Sequence, residues 1–107
     1  MSGASGTYVE IVASTSRAYR AVVLVPNVSS NTVASINVTY TVATGAAGSE
    51  VDLGSRIFLY IDAEFMVPNT SNDSLIPANI PAGTRLSVKH NIVSNPVGYG
   101  VTLIGIP

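Results

Sequence analysis

The chain has 107 residues, 47% of them hydrophobic and only 10% charged, with a formal net charge of −1. That length fits one compact domain, and size scaling gives it about 5,600 Å² of folded surface against about 16,000 Å² unfolded, enough burial for a core without staples. Zero cysteines exclude a disulfide scaffold, a thiolate metal site and a thiol nucleophile. Five cations against six anions give no electrostatic case for nucleic acid or an anionic membrane.

Residues 1–7 are small and polar, and they are expected to form an N-terminal arm ahead of a domain over residues 8–107. Met1, Ser2, Gly3, Ala4, Ser5, Gly6 and Thr7 offer no basic start and no apolar signal core, so a soluble chain not exported by a classical route is expected. Residues 8–13 and 20–25 are rich in β-branched side chains and predict strands. Over residues 35–42, Ile36, Val38, Tyr40 and Val42 alternate strictly with small polar residues, the period of a half-buried strand. Residues 56–62 predict a further strand, and residues 64–67 a weaker one. In residues 85–92, Leu86, Val88 and Ile92 share one parity, while Arg85, Ser87, Lys89 and Asn91 occupy the expected wet face. Residues 100–106 close the set.

Turn chemistry punctuates these runs at Pro26-Asn27, Ser29-Ser30-Asn31, residues 45–48, residues 69–74, Pro81-Ala82-Gly83 and Asn95-Pro96. Pro81 fixes its own φ and biases Ile80 toward an extended backbone, and Gly83 permits the positive φ of a tight turn. No window shows an amphipathic helical period. The expectation is an all-β domain, a single antiparallel β-sandwich, with a jelly roll among the open arrangements.

Groups able to perform chemistry are few. His90 is the only histidine and falls on the Leu86 parity, so a half-buried strand histidine with a hydrogen-bond partner is expected. No Gly-x-Ser-x-Gly elbow exposes a serine. Glu50 with Asp52, and Asp62 with Glu64, stand at the i, i+2 spacing that could put two carboxylates on one strand face for calcium or for acid–base work. Both pairs border turns, where solvated acids are common. The segment Gly45-Ala46-Ala47-Gly48-Ser49-Glu50 lacks the Gly-Lys-Ser/Thr ending of a phosphate loop and predicts a flexible turn. The expectation is no enzyme, no cofactor and no metal.

Four segments resemble one family. Val9-Glu10-Ile11-Val12-Ala13-Ser14-Thr15-Ser16, followed by Ala18-Tyr19, resembles the opening of a group of small all-β structural proteins of tailed bacteriophages. Thr44-Gly45-Ala46-Ala47-Gly48-Ser49-Glu50 and Ile80-Pro81-Ala82-Gly83-Thr84-Arg85 resemble their Gly-Ala-Ala-Gly-Ser-Glu and Ile-Pro-Ala-Gly-Thr-Arg segments, and Val101-Thr102-Leu103-Ile104-Gly105 their final strand. The resemblance implies a non-enzymatic component of a bacteriophage virion: a capsid decoration protein, or a neck, tail or fibre-base protein. It would work by self-association, with a trimer favoured by analogy, and by docking on other virion proteins. The alternative is a carbohydrate-binding module for host adsorption, using loop tyrosines such as Tyr19 or Tyr99.

The low charge suits a surface covered by neighbours. Interface candidates are the arm and the group Arg17, Tyr19 and Arg20, since Arg and Tyr are favoured anchors. Arg17 and Arg20 also stand where the resembled pattern has an acidic or glycine neighbour.

Overall fold

The computed structural model describes residues 6–28, 35–61, 65–68, 74–92 and 99–107, with side chains for residues 6–26, 37–58, 74–91 and 100–107. Eight strands and no helix occur among them. They are β1 (Tyr8–Val12), β2 (Tyr19–Val28), β3 (Ser35–Thr44), β4 (Val51–Ile61), β5 (Phe65–Pro68), β6 (Leu75–Ile80), β7 (Leu86–Ile92) and β8 (Tyr99–Ile106). Every pairing is antiparallel. One sheet has five strands in the order β1-β7-β3-β4-β5, the other three in the order β6-β2-β8. The protein is an all-β sandwich, and its accessible surface of 5535 Å² is close to the scaling value.

Within the two sheets the pairings are nested: β2 with β8, β3 with β7, β4 with β5. Folding one long hairpin over on itself gives this order, the principle behind jelly rolls. Here β1 and β6 add at sheet edges, so the division is five and three.

Alternation places the core. Val38, Tyr40 and Val42 of β3 are fully buried, and register sets them in rows with Phe58 of β4 and with His90 and Val88 of β7. Across the layer, Val22 and Leu24 of β2 and Ile76 and Ile80 of β6 close the cluster. The rings of Tyr40 and Phe58 meet at 5.8 Å and 60°, the tilted geometry that aromatic quadrupoles favour.

Three sequence expectations need correction. Pro26-Asn27, expected as a turn, continues β2 in register with Val101 and Gly100 of β8. Residues 75–80, which lie between two turn signals with no element expected there, form β6. Pro77 interrupts the strand signal there, and the strand tolerates it by lying at a sheet edge. β4 starts at Val51, five residues before its predicted start, because Leu53 and Gly54 carry it through a register break opposite Val42 and Ala43.

Candidate functional site

The loops of residues 13–18, 45–50 and 81–85 converge at one end of the sandwich. The residue 13–18 loop is held to the residue 81–85 loop by reciprocal bonds. The Thr15 amide donates to the Thr84 carbonyl at 2.9 Å, and the Gly83 amide to the Thr15 carbonyl at 2.8 Å. The buried Thr15 hydroxyl donates to the Pro81 carbonyl and accepts from the Thr84 amide, both at 3.0 Å. Gly83 takes φ +81, the left-handed value its turn requires.

Arg85 ties in the third loop and the first strand. Its Nε donates to Glu10 Oε1 at 2.8 Å, and its Nη1 lies 3.5 Å from Glu50 Oε2 and donates to the Gly45 carbonyl at 2.9 Å. The Arg85 side chain is only 19% exposed and that of Glu50 9%. The expected wet-face arginine is therefore the hub of this end. Residues 45–50 are correspondingly a fastened loop: Glu50 Oε1 accepts the Gly48 amide at 2.9 Å, and the Ser49 amide donates to the Ala46 carbonyl at 2.9 Å. Between the loops lies an open depression of about 520 Å³ lined by Ala13, Gly45, Asn79, Pro81 and Arg85.

Glu50 and Asp52 do not form a shared carboxylate site. Glu50 precedes β4 and turns to Arg85, whereas Asp52 accepts a hydrogen bond from the Tyr8 hydroxyl. Asp62 and Glu64 lie outside the described residues. Among the described residues, no three of His, Asp and Glu converge as metal ligands.

Tyr8 spans from β1 toward β4, so its side chain crosses the outer face of β7 and β3. Lys89 Nζ sits 4.7 Å from its ring centroid and 3.4 Å from its hydroxyl. The hydrogen bond to the Asp52 carboxylate holds the Tyr8 phenol above its ordinary pKa. Ser87, expected on the wet face, is fully buried on that crossed face, and its hydroxyl has no partner among the described residues. His90 faces inward as its parity predicts and is fully rather than half buried. Burial holds its pKa below the ordinary value of 6.5.

The group Arg17, Tyr19 and Arg20 is divided. Arg17 and Arg20 are exposed. A register break between Tyr19 and Ala21 turns Tyr19 inward, where its ring lies against Gly105 of β8. Tyr19 lines a cleft of about 210 Å³ between the sheets, with Val12, Ser14, Val22, Leu86 and Leu103. Of the arm, residues 1–5 lie outside the described residues, as does the side chain of Tyr99. Gly6 and Thr7 are exposed, and the Gly6 amide donates to the His90 carbonyl at 2.7 Å, extending the β1–β7 ladder.

Sequence reasoning missed the outer face of the three-stranded sheet. Register sets Leu75, Val23 and Ile104 in one row across it, Pro77, Ala21 and Ile106 in the next, and Val25 beside Thr102. Val25 is 41% exposed and Ile104 50%. The strands of this sheet carry one charge, Arg20, while Glu10, Asp52, Arg56 and Lys89 all belong to the other sheet. The alternate apolar residues of residues 20–25 and 100–106 were a signal: both faces of those strands are apolar, as in a sheet covered on both sides.

Together these features define a class: a two-sheet β-sandwich with one charged sheet, a hydrogen-bonded loop end and one sheet whose strands carry a single charge, Arg20. Comparison with protein-family models, curated proteins and solved structures finds no match to this chain.

Proposed function

We propose that the protein is a non-enzymatic structural component of a bacteriophage virion that associates with copies of itself and docks on other virion proteins. The observation that carries this reading is the uncharged outer face of the β6-β2-β8 sheet. Its rows include the exposed side chains of Val25 and Ile104, exposed apolar groups of the kind that mark association sites, and its charge depletion matches the core of an interface. The virion setting rests on the sequence resemblance. Three of its four segments build one interlocked loop end here, so those three act as a structural unit rather than as scattered phrases.

The carbohydrate reading has less support. Tyr19, one of its two aromatic candidates beside Tyr99, already lies against Gly105 with one face, and Glu10 and Glu50 are engaged by Arg85.

Quantitative mass spectrometry of purified particles tests the proposal. The chain is expected at a fixed stoichiometry to the capsid or tail proteins, and its absence from particles overturns the reading. Deleting residues 1–7 should leave the β-type circular dichroism intact and lower incorporation. A glycan array with the wild-type protein is expected to stay blank.

A further inference from the structure

Among the described residues the sandwich has four edge strands: β1 and β5 in the larger sheet, β6 and β8 in the smaller. An open edge displays unpaired amides and carbonyls that recruit other strands, and proteins blunt it with short length, charge, proline or a bulge. Three of the four edges carry such devices. β1 has five residues, the charge of Glu10 and a register break between Glu10 and Val12. β5 has four residues and ends in Pro68. β6 holds Pro77 at its middle, where no amide hydrogen exists. β8 has none of these. It runs eight residues in unbroken register with β2, without charge or proline.

The Tyr40 hydroxyl donates to the Gly100 carbonyl at 3.3 Å, so the run clear of that contact is residues 101–106. Its outward side chains are Thr102, Ile104 and Ile106, in line with the apolar rows of the sheet face. A strand added here must bring uncharged side chains of strand-forming type to continue those rows. β8 itself meets that requirement and is present at the same concentration as the edge it would occupy.

We propose that β8 pairs antiparallel with β8 of a second copy across a two-fold axis, joining two three-stranded sheets into one of six. Directly opposed residues of an antiparallel pair share a face, so the axis passes at a residue, and Leu103 or Ile104 centres the open run. With Leu103 on the axis, Thr102 opposes the partner's Ile104, and Gly105 opposes the partner's Val101. Self-pairing of one edge is isologous and closes at two copies, which makes the elementary unit a dimer rather than the trimer favoured by analogy. The five residues that each strand pairs within that run bury less than the roughly 1,200 Å² of a standard interface, so the dimer depends on concentration. The proposal rests on the assembly reading above and names the partner.

Sedimentation velocity of the full chain, from low micromolar to millimolar concentration, tests it together with hydrogen exchange. A monomer–dimer equilibrium is expected, with amide protection over residues 101–106 rising with concentration. Ile104→Lys, whose side chain lies on the exposed face, is expected to stay monomeric with unchanged circular dichroism. Val25→Lys, on the same face but on the inner strand β2, is expected to keep the dimer, which separates edge pairing from face-to-face packing. A monomer at every concentration, a dimer that survives Ile104→Lys, or a dimer lost in Val25→Lys overturns the proposal. Should Ile104→Lys fail to fold, the wild-type exchange data decide, and flat protection over residues 101–106 overturns it. A monomer that still enters particles overturns edge pairing but leaves the virion reading standing; a dimer absent from particles does the reverse.

Discussion

Arg85 shows how one side chain can organise a molecule this poor in charge. Its guanidinium holds Glu10, Glu50 and the Gly45 carbonyl at once, and a planar fork suits that task better than an ammonium. Arg85→Ala leaves the covered Glu50 carboxylate without its cation. The expected cost is about 1–3 kcal/mol, above the range of an exposed pair and below that of a fully buried one. Thermal denaturation should show the loss, with Arg85→Lys recovering only part of it. His90 supplies a pH signature. Its folded-state pKa lies below 6.5, so the native state binds fewer protons than the unfolded chain. Its contribution is complete above about pH 6.5 and declines as pH falls, with a slope of at most about 1.4 kcal/mol per pH unit. Urea midpoints between pH 8 and pH 5 should fall in wild type, and His90→Leu should flatten that part of the curve.

Elements of this sandwich fit together through small residues at close approaches. A Cβ at Gly105 would stand 2.5 Å from the Tyr19 ring, and one at Gly54 would stand 3.0 Å from Ile76. Gly105 therefore lets the start of β2 turn its tyrosine onto β8, and the inter-sheet cleft exists because of that turn. Gly105→Ala should force the ring to move and destabilise the fold by about 1–3 kcal/mol, the usual cost of overpacking. Tyr19→Leu in the same chain should relieve the clash. A double-mutant cycle on melting temperature is expected to show the pair costing less than the sum of the single changes. At the same scale, β6 shows how a strand escapes a sequence reading: its proline is a local veto that an edge position removes.

Across the whole molecule, the ion pairs among the described residues lie at the loop end and on the five-stranded sheet, whereas exposed apolar side chains occur on both sheets: Ile11, Val51 and Ile57 on the larger, Val25 and Ile104 on the smaller, whose strands carry only Arg20 as a charge. Association through the uncharged side should depend on apolar burial, at about 25 cal/mol per Å², and on backbone pairing, rather than on ion pairs. Raising salt from millimolar to molar concentration should leave the self-association constant unchanged or increase it, since screening has no attractive pair to weaken. Sedimentation at the two salt levels checks this, and a sharp loss at high salt would place the contact on the charged sheet instead.

The sequence by itself determined local features: the strand character of every strand but β6, which face of β3 and β7 turns inward, and where Gly83 must reverse the chain. Each of these depends on a two-residue period or on the φ range of a single residue, so neighbours along the chain suffice to set it. Only the tertiary structure decided that Arg85 meets Glu10 and Glu50, that Tyr8 crosses over the row holding Ser87, that Tyr19 turns away from Arg17 and Arg20, and that β8 is an edge strand among the described residues. Those outcomes depend on which distant strands lie side by side and on where a register break shifts a side chain to the other face. Such pairings are fixed by many weak contacts summed over the whole sandwich, a sum that no local stretch of sequence contains.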